Sequence, residues 1–232
     1  MISGSDLSSL LPGILDPEGK ARSLTCFGSR LLELGSVRGV TALKTAEAIR
    51  TDLLLDSLAG LASLPATGRV IDIGTGGGVP GLVLAVVRPD LEFTLTDSSQ
   101  RKTAWVQECV DDLGLPNVVV KTARLEILGR DQEARERYDA VTAKALANLA
   151  VLVELAMPLL KIGGLLIAYK GPALPQELAQ AERAMHLLKA RLAASREYSL
   201  AGKSYTIAEI VKTGATASRY PRRDGVPQKT PL

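Results

Sequence analysis

Hydrophobic and polar positions change texture near residue 67. Before it, leucines recur at helical spacing in "SRLLELG" and "EAIRTDLLLDSLAGLASL", with glycine stops at Gly35 and Gly60. After it, short apolar runs alternate with amphipathic stretches. "RVIDIG", "LEFTLTD", "NVVVKTA", "YDAVTAKAL" and "LLIAYKG" read as strands, with "SYTIAEIVKT" as a later one. "VPGLVLAVVRP" predicts a buried helix with Pro80 in its first turn, where a missing N–H is harmless. "QRKTAWVQECVDDLG" predicts an amphipathic helix with Trp105, Val106, Cys109, Val110 and Leu113 on one face. "LAVLVELAMPLLKIGG" predicts a helix closed by glycines. Residues 174–190 predict another, with Leu174, Leu178, Ala181, Met185 and Leu188 in register. "SRYPRRDGVPQKTPL" has three prolines and no period, so an irregular tail is expected.

Strands alternating with helices predict an α/β, Rossmann-like, doubly wound and mostly parallel sheet over residues 67–232. A helical segment over residues 1–66 precedes it. In such sheets ligands sit beyond the carboxyl ends of the strands, at the switch point beside strand one.

Composition narrows the class. No window approaches the roughly 18 apolar residues of a membrane span, and the first residues lack a basic start, so a cytoplasmic protein is expected. Cys26 and Cys109, with a single histidine, suggest neither a disulfide framework nor a metal cluster. Net charge is +3, but residues 203–232 carry +4 and the rest −1. A basic tail on a near-neutral body points to a polyanionic partner.

The candidate chemistry lies in "RVIDIGTGGGVPG". Gly76, Gly78 and Gly81 fit the dinucleotide spacing G-x-G-x-x-G, consistent with an NAD-linked oxidoreductase. A second register, Asp72, Gly74, Thr75, Gly76 and Gly78, places an acid at the strand end before alternating glycines. A diphosphate needs bare N–H groups and no nearby carboxylate. S-adenosylmethionine carries a sulfonium and an ammonium, which an acid favours. Asp97 ends the second strand, where a carboxylate accepts ribose hydroxyls in both classes. Glu126 could face the adenine amino group.

"DIGTGGGVPGLVLAVVRPDLEFTLTDSSQRK", then "ARLE", "YDAVTAKALANL", "MPLLKIGG", "YKGP" and "YPRRDGVPQKTPL", resembles the RsmG (glucose-inhibited division protein B) methyltransferases. The resemblance covers about residues 52–232. It implies methyl transfer from S-adenosylmethionine to N7 of a guanine in 16S ribosomal RNA. It also implies that Gly74 and Val79 flank the cofactor, that Asp97 and Ser98 contact its ribose, and that Leu125 and Glu126 line its adenine. Lys144 stands where the family usually has an arginine beside the cofactor and target base, and Arg124 is a candidate RNA contact. The sequence departs from the family at Gly39, Val40 and Thr41, at Leu53, and at Tyr205 and Thr206.

Guanine N7 holds its lone pair in the ring plane without a proton. No general base is therefore expected, and Arg124 and Lys144 are expected to position the reactants. Arg101, Lys102, Arg124, Lys170, Arg222 and Arg223 are the candidate RNA contacts. Trp105 is expected in the core, and Tyr169 and Tyr220 in mainly structural roles. The expected partner is small-subunit ribosomal RNA or the 30S particle, and the expected state a monomer without metal. Two further alternatives are a non-catalytic RNA-binding or ribosome-assembly protein on a methyltransferase fold, and a methyltransferase with another acceptor.

Overall fold

The structure, a computed structural model, describes residues 2–10, 12 and 14–232. Of the lead-in expected over 1–66, residues 1, 11 and 13 lie outside the described residues. The lead-in contains α1 (Gly4–Leu10) and α2 (Pro17–Leu34). The Asp16 side chain starts α2 by accepting from Gly19 N–H, with Pro17 in its first turn. A second rod joins α3 (Ala46–Ala48), a π-helical stretch (Ile49–Leu55) and α4 (Asp56–Leu58), and a 3-10 turn (Leu61–Ser63) follows.

Seven strands form one sheet: β1 (Arg69–Ile73), β2 (Glu92–Asp97), β3 (Val118–Thr122), β4 (Tyr138–Lys144), β5 (Leu160–Lys170), β6 (Ala190–Leu200) and β7 (Lys203–Lys212). Their order is β3-β2-β1-β4-β5-β7-β6. The first five are mutually parallel, and β7 runs antiparallel to both β5 and β6. The order reverses between β1 and β4, which opens a crevice at their carboxyl ends. The crossover helices are α5 (Gly81–Val87), α6 (Gln100–Leu113), the short α7 (Leu125–Leu128), α8 (Leu149–Ala156) and α9 (Leu174–Leu187).

Both faces of the sheet are covered, as near-continuous apolar parallel strands require. On one face Leu24, Phe27, Leu31, Ile49, Leu54 and Leu58 of the lead-in pack with Val70, Leu82 and Trp105. The lead-in thus shares a core with the sheet. On the other face α8 and α9 bury Leu149, Leu152, Val153, Ala181 and Ala184 against Ile71, Val141, Leu166 and Ala208.

One expectation needs correction, and one strand is not announced by the sequence. The helix expected over residues 149–164 stops at Ala156; residues 157–159 form a turn and residues 160–164 begin β5. An apolar run does not by itself distinguish a helix from the strand that follows it. The segment after α9 is a strand, β6, paired with β7 through the tight turn at Ala201 and Gly202, where φ is +49° and +73°. The tail is largely irregular as expected, but it holds a short α10 (Val226–Lys229) and is firmly fastened. Arg135 donates to the carbonyls of Thr216 and Tyr220 at 2.7 and 2.8 Å, and Arg130 to that of Pro221 at 2.7 Å. Arg222 grips the fully buried Glu154 through Nε and Nη2 at 2.8 and 2.6 Å.

Candidate functional site

The glycine loop leaves β1 at the switch point and crosses the ends of β1 and β2. Thr75 is its pivot: its N–H donates to Thr96 O at 2.9 Å, and its carbonyl accepts from Gly78 and Val79 at 2.8 and 3.1 Å. Trp105, buried in the core, donates from Nε1 to Gly77 O at 3.2 Å. Gly76 has φ +57°, and the one atom a Cβ there would meet within 4 Å is Gly74 O, at 3.8 Å. Glycine therefore supplies the backbone turn and leaves room for a ligand to approach it. Gly74, Gly76 and Val79 are partly exposed along this edge, while Thr75 and Gly78 are buried supports.

Two carboxylates take N–H groups, one in the loop and one at the start of α5. Asp97, at the end of β2, accepts from Gly76 N–H at 3.1 Å and from Ser99 N–H at 2.9 Å, with Lys102 Nζ 3.7 Å away. Asp72, in β1, is fully buried and accepts from Gly81 N–H at 3.1 Å and the Thr142 hydroxyl at 2.7 Å. Burial pushes its carboxyl up to about 6, against those hydrogen bonds and the nearby Lys144 charge. Gly81 must be glycine because a Cβ would stand 2.8 Å from Asp72 Oδ2. Asp72 thus shapes the loop from beneath rather than opening onto the crevice.

The remaining cofactor candidates line the same rim. Ser98 is exposed beside Asp97, and Leu125 and Glu126 begin α7 beyond β3. Glu126 is nearly buried, and its Oε1 accepts from Gly225 N–H at 3.0 Å, which ties this rim to the tail. Lys144 ends β4. It donates to Asp52 O at 2.6 Å and pairs with Asp56 Oδ2 at 2.5 Å, both from the lead-in rod.

The basic candidates divide into two groups. Arg101, Arg124 and Arg223 are exposed, and Lys102 is half-buried. Arg124 pairs with Asp224 at 3.0 Å. Lys170 and Arg222 turn inward instead: Lys170 meets Glu177 at 2.6 Å and Arg222 holds Glu154. Their charges close the fold, which the sequence pattern alone does not reveal. Asp56 and Tyr198 received no site role from the sequence, yet they join Lys144 here: Tyr198 OH donates to Asp56 Oδ1 at 2.5 Å. The tight turn after β6 is the signal that places Tyr198 opposite Tyr205. The lone histidine, His186, is exposed on α9. Among the described residues no cluster of three His, Cys, Asp or Glu could hold a metal, and no helix is long and apolar enough to cross a membrane.

The family profile described as rRNA small subunit methyltransferase G matches residues 20–203 of this chain. Ribosomal RNA small subunit methyltransferase G of Deinococcus deserti is 42% identical over 207 residues, covering 87% of this chain and 85% of that protein. Its counterpart in Pelotomaculum thermopropionicum is 35% identical over 224 residues, covering 95% and 94%. Among solved structures, a variant of the 16S rRNA (adenine(1408)-N(1))-methyltransferase from Catenulisporales acidiphilia, with cosubstrate SAM, has a TM-score of 0.51 at 16% identity. It covers 70% of this chain and 92% of that one, a likeness of fold.

Proposed function

The chain belongs to the rRNA small subunit methyltransferase G family, and from that membership we propose that it methylates N7 of a guanine in small-subunit ribosomal RNA, using S-adenosylmethionine. One observation carries the choice of cofactor class. The N–H groups of Gly76 and Gly81, which a diphosphate would need, already face the carboxylates of Asp97 and Asp72. A dianion would find both N–H groups taken and the Asp97 carboxylate at the rim, whereas a ribose meets an acceptor there. When bound, S-adenosylmethionine supplies a methyl carbon made electrophilic by its sulfonium.

The chain's own residues hold and orient. Asp97 and Ser98 receive the ribose, Leu125 and Glu126 the adenine, and the edge of Gly74, Gly76 and Val79 the methionine portion. Asp72, Thr75 and Gly78 keep that edge in shape. The acceptor N7 needs no deprotonation, so the absence of a base from the roles above is consistent with the reaction. Alignment is the main task, and holding reactants in line supplies on the order of 7–11 kcal/mol. Arg101, Lys102, Arg124 and Arg223 are the proposed phosphate contacts, which makes affinity fall steeply with salt.

The direct test incubates the protein with methyl-tritiated cofactor and 30S particles lacking the mark, followed by nuclease mapping. Label at N7 of a single guanine is expected. An absence of transfer to RNA would overturn the proposal.

A further inference from the structure

A second cavity of about 310 Å³ opens beside the loop, at the carboxyl ends of β4 and β5. Its walls include Asp56, Lys144, Leu146, Tyr169, Tyr198 and Tyr205. Leu146 joins it to the cofactor crevice: its Cδ1 lies 2.5 Å from where a Cβ on Gly74 would stand. Lys144 and Asp56 set a donor and an acceptor side by side, 2.5 Å apart. Asp52 O and Asp56 engage two of the three Lys144 N–H groups, leaving one. Each Asp56 oxygen takes one partner, Tyr198 OH or Lys144, and keeps further acceptor capacity. Tyr198 stacks on Tyr205 across the β6–β7 hairpin, with ring centroids 5.6 Å apart and planes at 25°. Burial and the adjacent Asp56 carboxylate keep the Tyr198 phenol protonated, far above its ordinary range. The aromatic pair is therefore fixed from beneath by the same carboxylate that meets Lys144.

We propose that this cavity receives the acceptor base, that Lys144 and Asp56 together read guanine through O6 and N1–H, and that Tyr205 supplies the stacking face. The inference rests on the function proposed above. Guanine carries O6 between N7 and N1–H. A base with N7 toward the cofactor crevice therefore presents an acceptor and then a donor to this corner. The Lys144 ammonium matches the first and the Asp56 carboxylate the second. Adenine presents the opposite order, an amino donor and then a lone pair, so it would set donor against ammonium and lone pair against carboxylate. An extruded base is read in this way, by its Watson–Crick edge and by stacking. Two aromatic rings at one position also fit a chain with few aromatics, 3% in all.

The test uses particles reconstituted with guanine, inosine or 2,6-diaminopurine at the position that the wild-type protein methylates. Inosine keeps O6 and N1–H, whereas diaminopurine reverses both. The wild-type protein should accept inosine nearly as well as guanine and reject diaminopurine on the order of 10–100-fold in kcat/KM. Asp56→Asn, whose amide can donate to a ring lone pair, should lower the guanine-over-diaminopurine ratio about tenfold or more, with cofactor affinity unchanged by calorimetry. Tyr205→Ala should slow transfer to guanine and inosine about tenfold or more, again with cofactor affinity intact. If Asp56→Asn slows all bases equally, Asp56 merely braces the fold and the proposal fails. Should that variant not fold, the wild-type ratios still decide: diaminopurine methylated as readily as guanine overturns the proposal. If the wild-type protein labels no guanine at all, the methyltransferase function is what fails.

Discussion

Replacing Asp72 by asparagine probes the buried charge beneath the glycine loop. The carboxyl stands at about 6 in the fold against an ordinary value of 3.8, and burial is the main cause. A folded value above the unfolded one means that the folded protein holds this proton more tightly. The ionised group therefore costs stability at neutral pH, and the cost is relieved as pH falls from about 6 toward 3.8. At about 1.4 kcal/mol per pH unit, the cost is about 3 kcal/mol. Asparagine keeps both hydrogen bonds, because its carbonyl can accept from Gly81 N–H and its amino group can donate to the Thr142 hydroxyl. Asp72→Asn should thus be more stable than wild type at pH 7 by up to about 3 kcal/mol, or about 6–12 °C in Tm for a chain of this size. Near pH 4 the gap should almost close. Urea denaturation of both proteins at several pH values measures it, since the other carboxylates titrate alike in each. The same variant should bind S-adenosylmethionine more weakly, having lost the negative charge under the loop. Asp72→Ala gives the contrast: it leaves Gly81 N–H and the Thr142 hydroxyl unpaired, at about 1–3 kcal/mol each, and should be less stable than wild type. A gap between wild type and Asp72→Asn that stays constant with pH, or a less stable asparagine variant at pH 7, would refute the reasoning.

Two further outcomes follow from geometry. Asp97→Asn should raise the cofactor Kd roughly 10–100-fold by calorimetry, since charged hydrogen bonds contribute about 1.5–3 kcal/mol; unchanged affinity would remove Asp97 from the ribose contacts. Glu154→Ala strands Arg222 and should lower stability by about 3 kcal/mol, while trypsin cleaves faster after Arg219, Arg222 and Arg223. Unaltered cleavage would mean that the other fastenings suffice to hold the tail.

The sequence reveals the fold where its period is unambiguous. Strands β1 to β5 announce themselves as apolar runs between turns, and α6 by one buried face ending at Trp105, Val106, Cys109 and Val110. It conceals β6, because "ARLAASREYSL" is an edge strand with mostly exposed positions and no apolar run. It conceals the end of α8 because the apolar run continues through Met157, Leu159 and Leu160 into β5. The glycine loop and the acids at the strand ends are legible for a different reason: such residues carry local signals that tertiary context does not change. The inward use of Lys170 and Arg222 is not legible, since a cation's partner lies far away in sequence. Arg222 meets Glu154, and the Lys144–Asp56–Tyr198 chain joins three elements distant along the chain. Such pairings exist only once the sheet has brought them together.

The arginine clasps on the tail bear on the timing of biosynthesis. Ribosomes make proteins from the amino end, and the glycine loop with Asp72 and Asp97 emerges long before residues 216–225. Until that late segment docks, Arg130 and Arg135 lack their carbonyl partners in it, Glu126 lacks its tether at Gly225, and Tyr220 is missing from the apolar layer it completes. A nascent chain halted before this segment would leave the crevice beside the glycine loop half-built and a greasy surface uncovered. Such a chain would be a substrate for chaperones rather than a working enzyme.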